Sequence, residues 1–187
     1  MSDRPSSSDE ALWSVDALSA VEADVRALLD ARLPEGSGAE IDIPSFQAIS
    51  NIYRAAAAVR RRAEREVLSA HGLTWGGFTA LWVLWVWGPM ETARLAAECD
   101  LAKGTLTGLV TTLEKRSLVT RERVSSDRRR VVVALTERGT ATIEEVYPRF
   151  NAFEVAMSDG LSDDEKRTLA ASLRTVITNA DDPSSDS

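Results

Sequence analysis

Apolar side chains recur at three- and four-residue steps in several separate stretches of this chain, and each stretch predicts an amphipathic helix. In residues 9–32 the repeat is Leu12, Val15, Leu18, Val21, Val25 and Leu28, behind a Ser-rich tail over 1–8 that we expect to be disordered. Pro34, Gly36 and Gly38 then break the pattern, as turn formers do. A second helix is expected over 43–71, opened by Asp42 and Pro44. Its stripe is Ile49, Tyr53, Ala56, Arg60, Ala63, Val67 and Ala70, and Gly72 is its stop.

Beyond Gly72 the period loses its polar face. Residues 75–87 are apolar on nearly every side, which predicts a buried central helix capped by Thr74 and broken by Gly88-Pro89. A short helix over 92–98, a tight turn at Cys99-Asp100-Leu101 and a second helix over 103–116 follow, the last burying Leu106, Leu109, Val110 and Leu113. The period then drops to that of a strand. Residues 118–124 and 131–135 are β-branched runs around the polar, Arg-rich 125–130, the pattern of a β-hairpin with a basic tip. Thr136 opens a helix over 137–159 despite Gly139, and Ser162 with Glu165 forms a capping box for a last helix over 163–179. An acidic tail, expected to be disordered, closes the chain from Asp181.

Composition narrows the chemistry. The 187 residues hold one cysteine and one histidine, so a disulfide framework, a multi-Cys metal site and most His-dependent catalysis are excluded, and no cofactor is implied. No G-x-G-x-x-G, P-loop or nucleophile-elbow pattern occurs, so we expect no enzyme. The N-terminal stretch is polar, and no run of apolar residues is long enough to span a bilayer. The expected location is the cytoplasm, at the nucleoid, with no membrane partner.

Charge is unevenly placed, and this changes the picture. The chain carries a net −7, yet residues 101–138 hold 9 basic and 4 acidic side chains, a local +5. A phosphate backbone responds to the field within a Debye length rather than to the global balance. The island falls on the helix pair and hairpin. The exposed face of the 103–116 helix would carry Lys103, Gly104, Thr105, Thr107, Gly108 and Thr111, small and hydroxyl side chains that let a helix lie against base edges in a major groove. The hairpin tip carries Asp127, Arg128, Arg129 and Arg130, and a narrow minor groove attracts an inserted arginine. The order helix, turn, helix, hairpin reads as a mainly α, α+β winged helix-turn-helix lobe over 74–136 that binds double-stranded DNA. The other reading of these residues is a winged-helix protein–protein interaction module without specific DNA binding.

Residues 95–139 resemble the MarR family of regulators. The stretch LAKGTLTGLVTTLEKRSLV, from Leu101, resembles the family's turn and recognition helix. Asp127-Arg128-Arg129, the strand after it, and Leu135-Thr136 with Gly139 resemble its wing signature, and the similarity extends over about 43–179. The resemblance implies an obligate homodimer on a pseudo-palindromic operator, most often a repressor. Residues 43–72 and 137–179 would form the helical dimerisation region, and the extra helix over 9–33 would enlarge the dimer core. It implies that Arg129 enters the minor groove and that Asp127 orients it. Three positions depart from the family pattern: Ala102 where a Ser or Thr caps the helix, Asp100 for the common turn glycine, and Ser117 for a glycine before Leu118.

The resemblance further implies a small effector, often aromatic or anionic, held between the dimerisation helices and the lobe and releasing DNA by linkage. Trp75, Phe78 and Trp82 would supply an aromatic wall, Arg60 a cation and His71 a further contact, a set suited to an aromatic carboxylate. The other reading of the same residues, and the one the sequence favours, is core or interface packing by the tryptophans, with Arg60 snorkelling. Cys99, beside Asp100, reads as a small hydrophobe rather than a reactive thiol.

Overall fold

The computed structural model describes residues 42–124 and 127–182, with the side chains of 123–129 excepted. The expected helix over 9–32 and both terminal tails up to 41 and from 183 lie outside the described residues. The chain divides into two units, 1–56 and 57–187. In the first, α1 (Ile43–Ala63) begins. Asp42 caps it, its carboxylate accepting from the Ser45 N–H at 3.2 Å and the Ser45 hydroxyl at 2.8 Å.

In the second unit α1 runs out into a π-helical turn (Glu64–Leu68) and a 3-10 turn (Ser69–His71), where the sequence predicts uninterrupted α-helix. The reason lies in which side chains reach the core. A π-turn adds a residue per turn and rotates the apolar stripe. Val67 and Leu68 are buried as a result, and Ala70, expected in the stripe, faces outward. Gly72 ends the segment at φ 62°, the left-handed conformation that a residue without Cβ adopts at little cost.

Helix α2 (Trp75–Trp87) starts where expected, the Thr74 hydroxyl accepting from the Gly77 N–H. Glu64 adds a second cap, accepting from the Trp75 N–H at 2.8 Å. The first three turns bury Phe78, Ala80, Leu81, Val83 and Leu84. The last turn outlasts the core, and Trp85, Val86 and Trp87 are exposed, which corrects the expectation of a helix buried throughout. Next come β1 (Met90–Glu91), α3 (Thr92–Glu98), α4 (Lys103–Lys115), β2 (Val119–Val124), β3 (Asp127–Leu135), α5 (Glu137–Met157) and α6 (Asp163–Asp181). The sheet is antiparallel in the order β1-β3-β2, with Met90 opposite Val133 and Val119 opposite Leu135. β1 was not legible: two residues cannot display a period, and only the open edge of β3 makes them a strand. β3 also begins earlier than expected, taking the Arg-rich 127–130 into the ladder.

The core sits between α2, α3, α4, the sheet and α5, and its fully buried side chains include Leu81, Leu95, Leu106, Leu118, Val133 and Ile143. Rings of α2 and α5 interleave: Phe78 and Phe150 lie 4.2 Å apart between centroids, Trp75 and Phe150 5.9 Å. Helix α5 is capped by Thr136 and α6 by the Ser162–Glu165 capping box. The Ser162 hydrogen bonds hold the Glu165 carboxyl below its ordinary value. α6 extends to Asp181, and none of its side chains is buried among the described residues.

Two of the three departures from the family pattern share one backbone feature. Asp100 sits at φ 51° and Ser117 at φ 58°, both left-handed, where a non-glycine residue costs roughly 1–2 kcal/mol. Ser117→Gly is therefore expected to raise stability by about 0.5–1 kcal/mol, the relief of strain outweighing the added freedom of the unfolded chain. Chemical denaturation at fixed protein concentration checks this. A loss of stability would mean that the Ser117 side chain contributes more than its backbone costs.

Candidate nucleic-acid interface

Helix α4 buries Leu106, Val110 and Leu113 and so turns the opposite face outward. Lys103, Gly104, Thr105, Thr107 and Gly108 are exposed on it, and Thr111 is half-buried at its edge. A Cβ built on Gly104 or Gly108 meets nothing within 4 Å. Packing inside the chain thus requires neither glycine, although each costs about 1 kcal/mol of helix propensity against alanine. Their presence suits a helix whose backbone closely approaches an external surface.

Three of the four threonines of α4 are pre-oriented. Thr107 donates to the Lys103 carbonyl at 2.8 Å, Thr111 to the Thr107 carbonyl at 2.8 Å and Thr112 to the Gly108 carbonyl at 3.0 Å. Each hydroxyl proton is spent on the backbone, so the exposed Thr107 and Thr112 offer lone pairs and a methyl group outward. Those groups match the amino hydrogens of cytosine or adenine and the thymine methyl. At the helix start, Ala102 supplies no side-chain cap, which leaves the first N–H groups of α4 open to an anion.

The wing stands beside this helix. β2 and β3 pair through Val124 opposite Asp127, with a register shift at Arg123/Val124. Asp127, Arg128 and Arg129 are placed in β3 by their backbone; their side chains lie outside those described. Arg130 is ion-paired with Glu91 of β1, its Nε donating to the carboxylate at 2.9 Å. The residue that sequence reasoning missed is Arg121 of β2. Its guanidinium pairs with Glu114 of α4 and donates to the Thr111 hydroxyl at 3.4 Å, so it links wing to helix. Arg121, Arg130, Lys103, Thr107 and Glu91 line one cleft of about 370 Å³ between α4 and the sheet. Strand alternation on β2 was the only sequence signal for Arg121, because its partners lie seven and ten positions back on another element.

Arg116, at the end of α4, ties the lobe together. It donates from Nη1 to the Gly72 carbonyl at 2.5 Å and from Nη2 to the His71 carbonyl at 2.7 Å. The turn after α1 and the far end of α4 are thereby held as one piece. Cys99 is half-buried; burial first, then the Glu98 carboxylate, pushes its thiol up to about 11. It is a thiol, not a thiolate, at neutral pH.

A second cleft, of about 280 Å³, lies between α2 and α5. Its lining is Val59, Trp75, Phe78, Thr79, Trp82, Tyr147, Phe150 and Glu154. The structure thus brings Trp75, Phe78 and Trp82 together around a cavity. It does not bring Arg60 or His71 to it. Arg60 is 3.7 Å from Glu64 on its own helix, and His71 Nδ1 is 3.9 Å from Glu145 of α5. Glu154 is the charged side chain in the lining.

Among known proteins, the MarR family model matches residues 73–131, the stretch from the start of α2 into the wing. The chain is 36% identical over 139 residues to YwaE, an HTH-type transcriptional regulator of Bacillus subtilis, covering 74% of this chain and 81% of that relative. In fold it is similar to BpsR of Bordetella bronchiseptica, whose DNA binding is regulated by 6-hydroxynicotinic acid. The identity is 24% and the TM-score 0.65, with 70% of this chain and 98% of that one covered. It is likewise similar to a mutant MarR of E. coli complexed with operator DNA, at 22% identity and a TM-score of 0.66, with 74% and 99% covered. With a helix-turn-helix and wing in the matched order, and a relative this similar over most of its length, the chain belongs to the MarR family of DNA-binding transcriptional regulators.

Proposed function

We propose that the protein is a homodimeric repressor that grips a pseudo-palindromic operator and is released by a small molecule. In this reading α4 enters the major groove and presents Lys103, Gly104, Thr105, Thr107, Gly108 and Thr111 to the DNA. Asp127, Arg128, Arg129 and Arg130 carry the wing into the adjacent minor groove. The observation that carries it is the outer face of α4, where Gly104 and Gly108, whose added Cβ would meet nothing within 4 Å, lie beside Thr107 and Thr111, whose hydroxyl protons are already spent. Arg121 joins the set, its side chain lining the same cleft as Lys103.

The dimer reading is supported by what the described residues leave uncovered. α6 buries nothing, with Leu169 and Ile177 exposed; on α1, Phe46, Ile49 and Tyr53 are exposed as well. Exposed apolar side chains on either helix, each taken by itself, suit an association face. The effector reading is supported by the α2–α5 cleft, because these two helices enter and leave the winged lobe. A ligand that binds one of their arrangements better than another shifts DNA affinity by the same differential.

A fluorescence-anisotropy titration against duplex from the protein's own upstream region tests the proposal, with sedimentation to give the mass. The expected species has twice the 20.4 kDa chain mass and binds with steep salt dependence. Arg129→Ala is expected to weaken binding on the order of tenfold across sequences while leaving the dimer intact. Wild-type affinity in that variant would remove the wing from the interface, and a monomer at micromolar concentration would end the two-site operator.

A further inference from the structure

The α2–α5 cleft has an electrostatic character opposite to the one its tryptophans suggest from sequence. Its lining is aromatic: Trp75, Phe78, Trp82, Tyr147 and Phe150 contribute rings, and Glu154 contributes a carboxylate. Arginine and lysine are absent from the described lining. Arg60, the nearest cation along the chain to lining residue Val59, is turned to Glu64 at 3.7 Å. The Glu154 carboxylate is partly anchored, Oε2 accepting from Asn151 Nδ2 at 3.0 Å. Its Oε1 takes no hydrogen bond among the described residues.

Aromatic faces carry negative quadrupolar potential, and a cation above them is attracted. A carboxylate at the rim adds to that attraction and repels an anion, although Glu154 is exposed and solvent screens part of both effects. At about 280 Å³ the cleft lies just below the range of drug-sized ligand sites, which run from roughly 300 to 1,000 Å³, so one or two fused rings fill it. Resting on the effector reading above, we propose that this cleft selects a small planar aromatic cation, its rings between Trp75, Trp82 and Phe150 and its ammonium on Glu154, and rejects the corresponding aromatic acid.

Isothermal titration calorimetry with three probes of one shape tests this: 2-naphthylmethylammonium, 2-naphthylmethanol and 2-naphthoate. The ammonium is expected to bind at least tenfold more tightly than the alcohol, and the naphthoate more weakly than either. Glu154→Gln should bring the ammonium to the alcohol's affinity while the alcohol is unchanged, a pattern that a merely structural role for Glu154 would not produce. Naphthoate binding as tightly as the ammonium, an ammonium preference that survives in Glu154→Gln, or no binding by any of the three would each overturn the proposal. Operator anisotropy with each probe separates this inference from the effector reading. Selective ammonium binding without an effect on operator affinity upholds the ligand class and sinks effector control. Release by naphthoate alone does the reverse.

Discussion

Gly139→Ala is expected to cost about 3 kcal/mol or more of stability, because among the described glycines it has the closest obstacle to a Cβ. A Cβ at that position would lie 1.9 Å from the Leu118 carbonyl oxygen and 3.3 Å from Leu135 Cδ2. The obstacle is backbone, so no rotamer change relieves it. Leu118 O also accepts the Thr136 N–H at 3.1 Å, and the Gly139 N–H caps onto Thr136 Oγ1 at 2.9 Å. Moving the start of α5 away from β2 by more than an ångström therefore breaks the hydrogen bond at the base of the wing and disturbs the cap together. The melting temperature should fall by roughly 6–12 °C, read at a fixed protein concentration because the proposed dimerisation would shift it. A change below about 1 kcal/mol would show that the junction of α5 with β2 yields easily, contrary to the close approach seen here.

Arg116→Met should cost about 2 kcal/mol, and it tests a different kind of contact. Hydrogen bonds from a charged donor are worth roughly 1.5–3 kcal/mol when the acceptors are left without a partner. Here two carbonyls, of His71 and Gly72, lose theirs together. Part of the site is open to solvent, so water recovers some of the loss. The consequence for DNA should exceed the consequence for folding. Without the tether the end of α4 is free to shift against the turn that follows α1, and operator affinity should drop several-fold under conditions where the variant remains folded. Arg116→Lys keeps the charge but not the planar fork that reaches two acceptors at once, and should fall between. Urea denaturation alongside operator anisotropy distinguishes the cases. If the methionine variant matched wild type in both, the two bonds would be incidental to the lobe.

The order of elements was legible because each signal is local. Thr74, Thr136 and Ser162 cap the helices they were expected to cap, since a cap acts within three residues of itself. The Leu106, Val110 and Leu113 stripe named the inward face of α4, and so also its outward face. What could not be read were pairings between elements. The link from Arg121 to Glu114 and the one from Arg116 to Gly72 join positions 7 and 44 residues apart. The cleft's charge belongs in the same class: Arg60 and Glu154 lie on different helices, and nothing local says which of them faces Trp82.

Two kinds of information are thus separated in this protein. The period of its apolar residues and its capping side chains by themselves determined a helix-turn-helix with a hairpin behind it, because helix and strand formation are short-range and leave their period in the chain. The third strand, the π-turn that brings Leu68 inward, the tether at Arg116 and the acidic rather than basic side chain in the aromatic cleft were decided only when the elements packed. Each depends on a contact across the fold, and burial is a property of the assembled core rather than of any segment within it.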